Sequence, residues 1–216
     1  MGLWIYSKII MIKRIEIDKE YAAVLEEVMG GGGEFDWYWN SGTIYKTDDG
    51  TIVDSKTVDN PQFTHILVSN NKILSPFYHF FSEMIGIIEK EVGCKIKNLI
   101  RIKANLMFKD ATYPTDSYNG AHVDYFDENV ITFLYYLNDS DGDTIFFSDF
   151  LSSKDDKKNR NITELREIHR ETPKGGTGLL FKSNQLHSST PPKYTDRRIV
   201  INYVLEIENE TNDTKF

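Results

Sequence analysis

From Asn98 onward, the apolar residues of this chain leave a helical period of 3.6 and alternate with a period near two. Leu99-Ile100-Arg101-Ile102-Lys103-Ala104-Asn105-Leu106-Met107-Phe108 predicts one long strand, Val130–Leu137 an apolar strand, and Asn138–Gly142 the turn after it. Shorter strands are expected at Thr144–Phe147, Ile162–Arg170 and Leu179–Ser183, and a last one at Arg198–Ile207. Asp110–Gly120, with Pro114, reads as a loop long enough to fold over a pocket mouth, and Pro173–Gly178 as a tight turn. Short strands separated by polar turns indicate a double-sheet β-barrel rather than a parallel α/β sheet.

The upstream part has helical spacing. Asp18 is placed to cap a helix running to Met29, with Tyr21, Val24, Leu25 and Val28 on one face and Gly30 ending it. Ser75-Pro76 opens a second helix, in which Phe77, Phe80, Phe81, Met84, Ile85 and Ile88 share a face until Gly93. Two helices ahead of a barrel can cover one outer sheet face. Gln62–Val68 predicts a strand carrying His65, and both His65 and His79 are read as structural. Gly30–Gly33 lacks the Gly-Lys-Ser/Thr of a phosphate loop and reads as a helix stop or linker. Phe35-Asp36-Trp37-Tyr38-Trp39 is expected in the core first and on the rim of a groove second, and Thr47–Asn60 in a surface loop or hairpin. Met1–Ile10 is too short and too interrupted by lysine to span a bilayer. It is expected to be a first strand or an extension upstream of a start at Met11. The expected division is 1–97 as a helix-containing support, 98–207 as the barrel and 208–216 as a polar tail, without a second domain.

The charge-bearing residues narrow the chemistry. A net charge of −8 and a pI near 5.2 disfavour nucleic acid as partner. One cysteine, Cys94, excludes an internal disulfide and is read as a small residue at a helix end. Ser152–Arg160 is expected to be solvated, and His169, in the same variable region, to lie at the surface.

His122 and Asp124 are two residues apart, so on an extended chain their side chains leave the same side. His187, from a distant strand, can complete a triangle of two imidazoles and one carboxylate. Such a face, open on its other side, suits a non-haem Fe(II) that must also bind substrate and O₂. A His-x-Asp pair alone is weak, but here it is followed by Thr132-Phe133-Leu134-Tyr135-Tyr136-Leu137-Asn138, Asp141-Gly142-Asp143-Thr144, His187 and Arg197-Arg198-Ile199-Val200-Ile201-Asn202-Tyr203. That order, over roughly residues 100–207, resembles the Fe(II)/2-oxoglutarate-dependent dioxygenases, above all their prolyl-4-hydroxylase-like branch.

The resemblance implies a mainly β (α+β) fold, a double-stranded β-helix of the jelly-roll or cupin-like kind with N-terminal helices packed on one sheet. It implies Fe(II) held by His122, Asp124 and His187, with 2-oxoglutarate as cosubstrate and O₂ as oxidant. It places the basic residue for the far carboxylate of 2-oxoglutarate at the start of the last core strand. Here that is Arg198, with Arg197 projecting to the opposite side; a guanidinium fork suits a carboxylate. Tyr136 matches a tyrosine that reaches the same carboxylate, and Thr132 and Leu134 would line the same wall. Asn105 and Lys103 are weaker candidates. The turn Asp141-Gly142-Asp143-Thr144 departs from the family's Gly-Gly-Glu-Thr by one Gly and by Asp for Glu, which leaves its geometry in question.

The activity implied is a hydroxylase acting on a prolyl residue of a peptide or on a small metabolite, with no membrane partner. Iron chemistry in a chain with one cysteine fits a reducing cytoplasm. Two other classes fit parts of the pattern: a cupin-like Zn or Mn hydrolase or isomerase, and a non-catalytic jelly-roll binding module. Neither needs a deep Arg198.

Overall fold

The structure is a computed structural model that describes residues 12–30, 34–43, 51–156 and 164–208. The expectations for Met1–Ile10, for Gly31–Gly33, for the start of the Thr47–Asn60 loop, for 157–163 and for the tail beyond Glu208 lie outside the described residues.

Two antiparallel sheets face each other. The large sheet takes the order β1 (Lys13–Glu16), β9 (Thr177–Lys182), β6 (Val130–Tyr136), β11 (Arg197–Ile207), β5 (Ile96–Phe108), β3 (Gln62–Ser69) and β2 (Tyr38–Asn40). The two-residue β4 (Lys72–Ile73) hangs on β3. The small sheet is β10 (Gln185–Ser189), β7 (Thr144–Phe150) and β8 (Glu167–Glu171). The chain crosses between the sheets after β6, after β8 and again on either side of β10. This is the two-sheet jelly-roll arrangement of a double-stranded β-helix.

Alternation assigns the faces. On β11, Ile199, Ile201, Tyr203 and Leu205 join the cluster shared with the helices, whereas Val200 joins a second cluster between the sheets with Leu134, Tyr136, Phe146, Leu179 and Phe181. Helices α1 (Lys19–Gly30), α2 (Tyr78–Phe81) and α3 (Glu83–Val92) cover the outer face through Leu25, Met29, Phe81, Met84, Ile88 and Val92. Each such side chain contributes about 1.5–3 kcal/mol by leaving water. A third cluster, including Ala121, Val123, Ile145, Phe147 and Leu186, closes the outside of the small sheet.

Several local readings need correction. Asp18 does cap α1, its Oδ1 accepting from the N–H groups of Glu20 (3.0 Å) and Tyr21 (3.2 Å). Val24, however, points to solvent; the buried stripe runs through Leu25 and Met29. The Ser75 helix is interrupted at Ser82, whose hydroxyl donates back to the His79 carbonyl at 2.9 Å. Gly93 ends it in the left-handed region (φ 76°). Phe35 is core, but Tyr38 and Trp39 are exposed on the edge strand β2, so the core reading fails for that pair. Within the stretch expected as a surface loop or hairpin, Thr51 and Ile52 are buried and Ile52 bridges Ala121 beside the site, while Val53 and Val58 are exposed. The strand expected at Ile162–Arg170 begins only at Glu167. His65 is structural as expected: its Nδ1–H donates to the Asp36 carbonyl (2.6 Å), and Nε2 accepts from the Ser75 hydroxyl (2.7 Å). His79 is an exposed helix residue whose Nδ1 bonds the Pro76 carbonyl. Among the described residues no helix is long and apolar enough to cross a membrane.

Candidate active site

Ala121 and Val123 are buried in the cluster outside the small sheet, so the extended chain sends His122 and Asp124 to the interior side. The His122 N–H donates to the His187 carbonyl (2.8 Å), and the His187 N–H donates back to the His122 carbonyl (2.9 Å). This single antiparallel bridge puts both imidazoles side by side, ring centres 4.6 Å apart. Each ring is held through Nδ1: His122 donates to the Gly120 carbonyl (3.1 Å) and His187 to the Gln185 carbonyl (2.9 Å). Committing the Nδ1 protons in this way leaves both Nε2 lone pairs as ligands. One ligand atom from each of His122, Asp124 and His187 lies within 4.8 Å of the others, and they could hold a metal ion.

Asp124 is the most heavily supported of the three. Its Oδ1 accepts from Arg101 Nη2, its Oδ2 from the Thr132 hydroxyl (3.0 Å), and both oxygens from Asn202 Nδ2 (3.1 Å each). Thr132 has one proton to give, so the Ser183 hydroxyl at 2.8 Å donates to it in turn. The Ser183 carbonyl also accepts from the Asp124 N–H (2.9 Å). Burial alone would raise the Asp124 carboxyl, but the Arg101 guanidinium, the two imidazoles and Asn202 hold it well below the usual carboxylate range. Thr132, expected from the sequence on the cosubstrate wall, here bonds the Asp124 carboxylate. Arg101 and Ser183 were missed, although Arg101 shares the alternation of Lys103 and Asn105 on β5.

Burial, and then the neighbouring His187, push the His122 imidazole down to about 4. It is therefore neutral and ready to ligate at physiological pH. The unfolded chain binds this proton below about pH 6.5, whereas the folded chain refuses it until about pH 4. Metal-free protein should therefore lose stability as pH falls through that window, by on the order of 3 kcal/mol from this group. Asp124 and Asp141, the latter held at about 2, extend the loss below pH 4, because their folded forms stay ionised where the unfolded carboxyls protonate. Thermal melts from pH 7 to 4.5 test this, and His122→Asn should flatten the upper part of the curve.

Arg198 lies deep at the other end of the β11 inner face, four residues from Asn202. At about 3.3 Å per residue the two Cα atoms are roughly 13 Å apart along the strand. Its Nε donates to the Gly142 carbonyl (2.8 Å) and its Nη2 to the Thr144 hydroxyl (2.8 Å), and the guanidinium sits 5.9 Å from the Tyr136 ring centre. It is buried, and burial lowers its pKa. Among the described residues it has no ion pair. Asp143 acts on it from a distance while itself accepting from Arg170 and Thr172. Three of its five N–H groups remain for a ligand. Tyr136 gives its proton to Thr144 (2.7 Å) and so joins the same cluster, with Thr144 as the residue that links it to Arg198. Asn105 is half-buried, opposite Val200 on the inner face, with its amide directed weakly at the Lys103 carbonyl (3.5 Å). Arg197 is exposed on the other face, beside Glu26, Glu27 and Gly30 of α1.

The altered turn keeps the glycine that matters. A Cβ on Gly142 would lie 2.7 Å from the Thr190 carbonyl oxygen and 2.9 Å from both Arg198 Cδ and Pro192 N. Asp141 anchors the facing loop, accepting from the N–H groups of Lys193, Tyr194 and Thr195 at 2.9–3.0 Å. Gly142→Ala should displace Arg198, with a loss of about 1–3 kcal/mol in stability by overpacking. Denaturant titration reads the first effect, and any ligand gripped by Arg198 should lose affinity in the same variant.

Residues 108–205 match the 2OG-Fe(II) oxygenase superfamily. No curated protein matches the chain. Among solved structures, the chain is similar to the non-heme alpha ketoglutarate dependent epimerase SnoN from nogalamycin biosynthesis. Identity is 13% and the TM-score 0.60, over 91% of this chain and 78% of that one. A second SnoN structure, in complex with Fe3+, alpha ketoglutarate and nogalamycin RO, is 11% identical with a TM-score of 0.53, over 91% of this chain and 79% of that one. An oxidoreductase of the 2OG-Fe(II) oxygenase family from Burkholderia pseudomallei is 12% identical with a TM-score of 0.52, over 92% and 96%. At these identities the likenesses establish the jelly-roll fold.

Proposed function

We propose that this chain, which belongs to the 2OG-Fe(II) oxygenase superfamily and is an Fe(II)- and 2-oxoglutarate-dependent dioxygenase, works as a hydroxylase through His122, Asp124, His187 and Arg198. Bound Fe(II) supplies the redox chemistry that couples 2-oxoglutarate decarboxylation to oxidation of a substrate C–H bond with O₂. His122, Asp124 and His187 would hold it, and the donor set fits: two imidazole nitrogens and one carboxylate suit a non-haem iron with an open face. The observation that carries the reading is Arg198, a buried guanidinium with no ion pair among the described residues.

Each residue then has a physical task. Arg198 receives the far carboxylate of 2-oxoglutarate, and Gly142 and Thr144 fix the plane of its fork. Tyr136 is held by Thr144 against that guanidinium. Thr132, Asn202 and Arg101 orient the Asp124 carboxylate, and Leu134, Val200 and Phe181 wall the space between the sheets against water. Asn105 lies beside the same space. The acceptor is a peptide, with a prolyl residue as the first choice, or a small molecule.

The test is an anaerobic titration of the Fe(II)-loaded protein with 2-oxoglutarate, watching for the visible metal-to-ligand charge-transfer band. Its appearance with saturable binding supports the reading. Tight metal binding without any response to 2-oxoglutarate would move the chain to the Zn or Mn alternative.

A further inference from the structure

One buried hydroxyl beside the triad is used by neither the metal ligands nor their supports. Ile52 and Ala121 form an antiparallel bridge, the Ile52 N–H donating to the Ala121 carbonyl (2.6 Å) and the Ala121 N–H to the Ile52 carbonyl (3.1 Å). Both side chains join the cluster outside the small sheet. Thr51 and His122, the next pair in that antiparallel register, therefore leave the other face together. His122 bridges His187, His187 pairs with Phe146, and Phe146 pairs with His169. Thr51 thus extends this inner row one step beyond His122, with its Cβ about 4.5–5.5 Å from that of the histidine.

Thr51 is 5% exposed, and its Oγ1 is buried without a hydrogen-bond partner. A hydroxyl in that state weakens a fold, and a residue needed only for packing would serve better as valine. Two other orphaned atoms lie near the triad, Arg101 Nε and Asn202 Oδ1, but both belong to side chains that already hold Asp124. The Thr51 hydroxyl holds nothing.

Its position selects the ligand it would meet. The cosubstrate approaches from the opposite side: Arg198 bonds Thr144, and Thr144 pairs with Ser189, two residues past His187. Thr51 lies beyond His122, away from His187 and from that path. Its oxygen is also enclosed, so an acceptor docking at the mouth would meet exposed groups first. What remains is a small ligand at the open face of the metal, without a proton of its own, which a hydroxyl orients by donating to it.

We propose that the Thr51 hydroxyl donates a hydrogen bond to the dioxygen-sized ligand at the open face beside His122, holding and orienting it there. This deepens the proposed function and rests on it.

The test replaces dioxygen by nitric oxide, which binds without turnover, in the anaerobic Fe(II)–2-oxoglutarate complex. Electron spin-echo envelope modulation in heavy water should show an exchangeable deuteron coupled to the nitrosyl signal in the wild type and in Thr51→Ser, and none in Thr51→Val. The nitric oxide dissociation constant should rise about three- to tenfold in Thr51→Val, the size of one neutral hydrogen bond. Affinity for 2-oxoglutarate should shift by less than about twofold, because Arg198 is untouched. The metal-free Thr51→Val protein should melt at or above the wild-type temperature, since an unpartnered buried hydroxyl has been removed. A lower melting temperature would make the hydroxyl a structural one and overturn the assignment. So would a deuteron that survives Thr51→Val, or an unchanged nitric oxide affinity. A loss of 2-oxoglutarate affinity in that variant would overturn it too, by moving Thr51 to the cosubstrate. If the wild type shows no charge-transfer band with 2-oxoglutarate, it is the dioxygenase reading that fails; the nitric oxide measurements are then made on the Fe(II) protein alone and still decide the role of Thr51.

Discussion

His122→Ala, Asp124→Ala and His187→Ala should each abolish Fe(II)-dependent conversion of 2-oxoglutarate to succinate, while the barrel still forms. None of the three belongs to an apolar cluster, and the sheet registers are set elsewhere. A site of this kind is added to a formed fold, unlike a zinc finger that needs metal to fold. The three variants should nonetheless differ in stability. Asp124→Ala leaves Arg101, Asn202 and Thr132 without their acceptor, whereas His187→Ala removes one hydrogen bond to the Gln185 carbonyl and ring contacts with Phe146 and Phe181. Asp124→Ala should therefore have the lower melting temperature of the two. Circular dichroism melts, with succinate formation measured alongside, check both parts. Full succinate formation by Asp124→Ala would remove the triad from the mechanism.

That His122, Asp124 and His187 could come together was legible because two independent periodicities met there. The spacing of His122 and Asp124 required only an extended backbone, and Ala121 and Val123, buried between and beside them, report the same alternation. The face of β11 was legible for a like reason: once Ile199, Ile201 and Tyr203 are taken as the helix-facing row, Arg198 and Asn202 must look inward. What was not legible depends on partners far along the chain. Thr51 and Ile52 sit in a polar stretch, and nothing local says that Ile52 will bridge Ala121 beside the site. Thr144 is part of an expected turn, yet its role comes from Tyr136 and Arg198 converging on one hydroxyl from two other strands. Val24 has helical spacing as good as that of Met29, and only the direction of α1 over the sheet decides which is buried. Tyr38 and Trp39 fall on an edge strand, where aromatic composition does not tell core from surface.

Arg198→Ala should weaken 2-oxoglutarate binding by two to three decades or more. Truncating one side of a buried charge pair costs about 3–5 kcal/mol, and each 1.4 kcal/mol is about tenfold in affinity. The far carboxylate would then face the Tyr136 ring and the Thr144 hydroxyl without a cation, while the Gly142 carbonyl loses its donor. Fe(II) affinity without cosubstrate should barely change, because Arg198 is roughly 13 Å along the strand from the residue that touches Asp124. Arg198→Lys should recover only part of the loss, since an ammonium cannot offer the bidentate fork. Arg197→Ala is the internal control. Arg197 is exposed beside Glu26 and Glu27 on the helix side of the sheet, so its removal should cost under about 1 kcal/mol in any measured property. Dissociation constants for both alanine variants, taken anaerobically, separate the two faces of one strand. A loss confined to Arg198→Ala fits the inward register of β11, in which Val200 and Asn202 continue the same row toward Asp124. A crippled Arg197→Ala would invert that face and detach Tyr136 from the cosubstrate. If neither variant loses affinity, the guanidinium is only a structural tie between Gly142 and Thr144, and 2-oxoglutarate must be held by other residues.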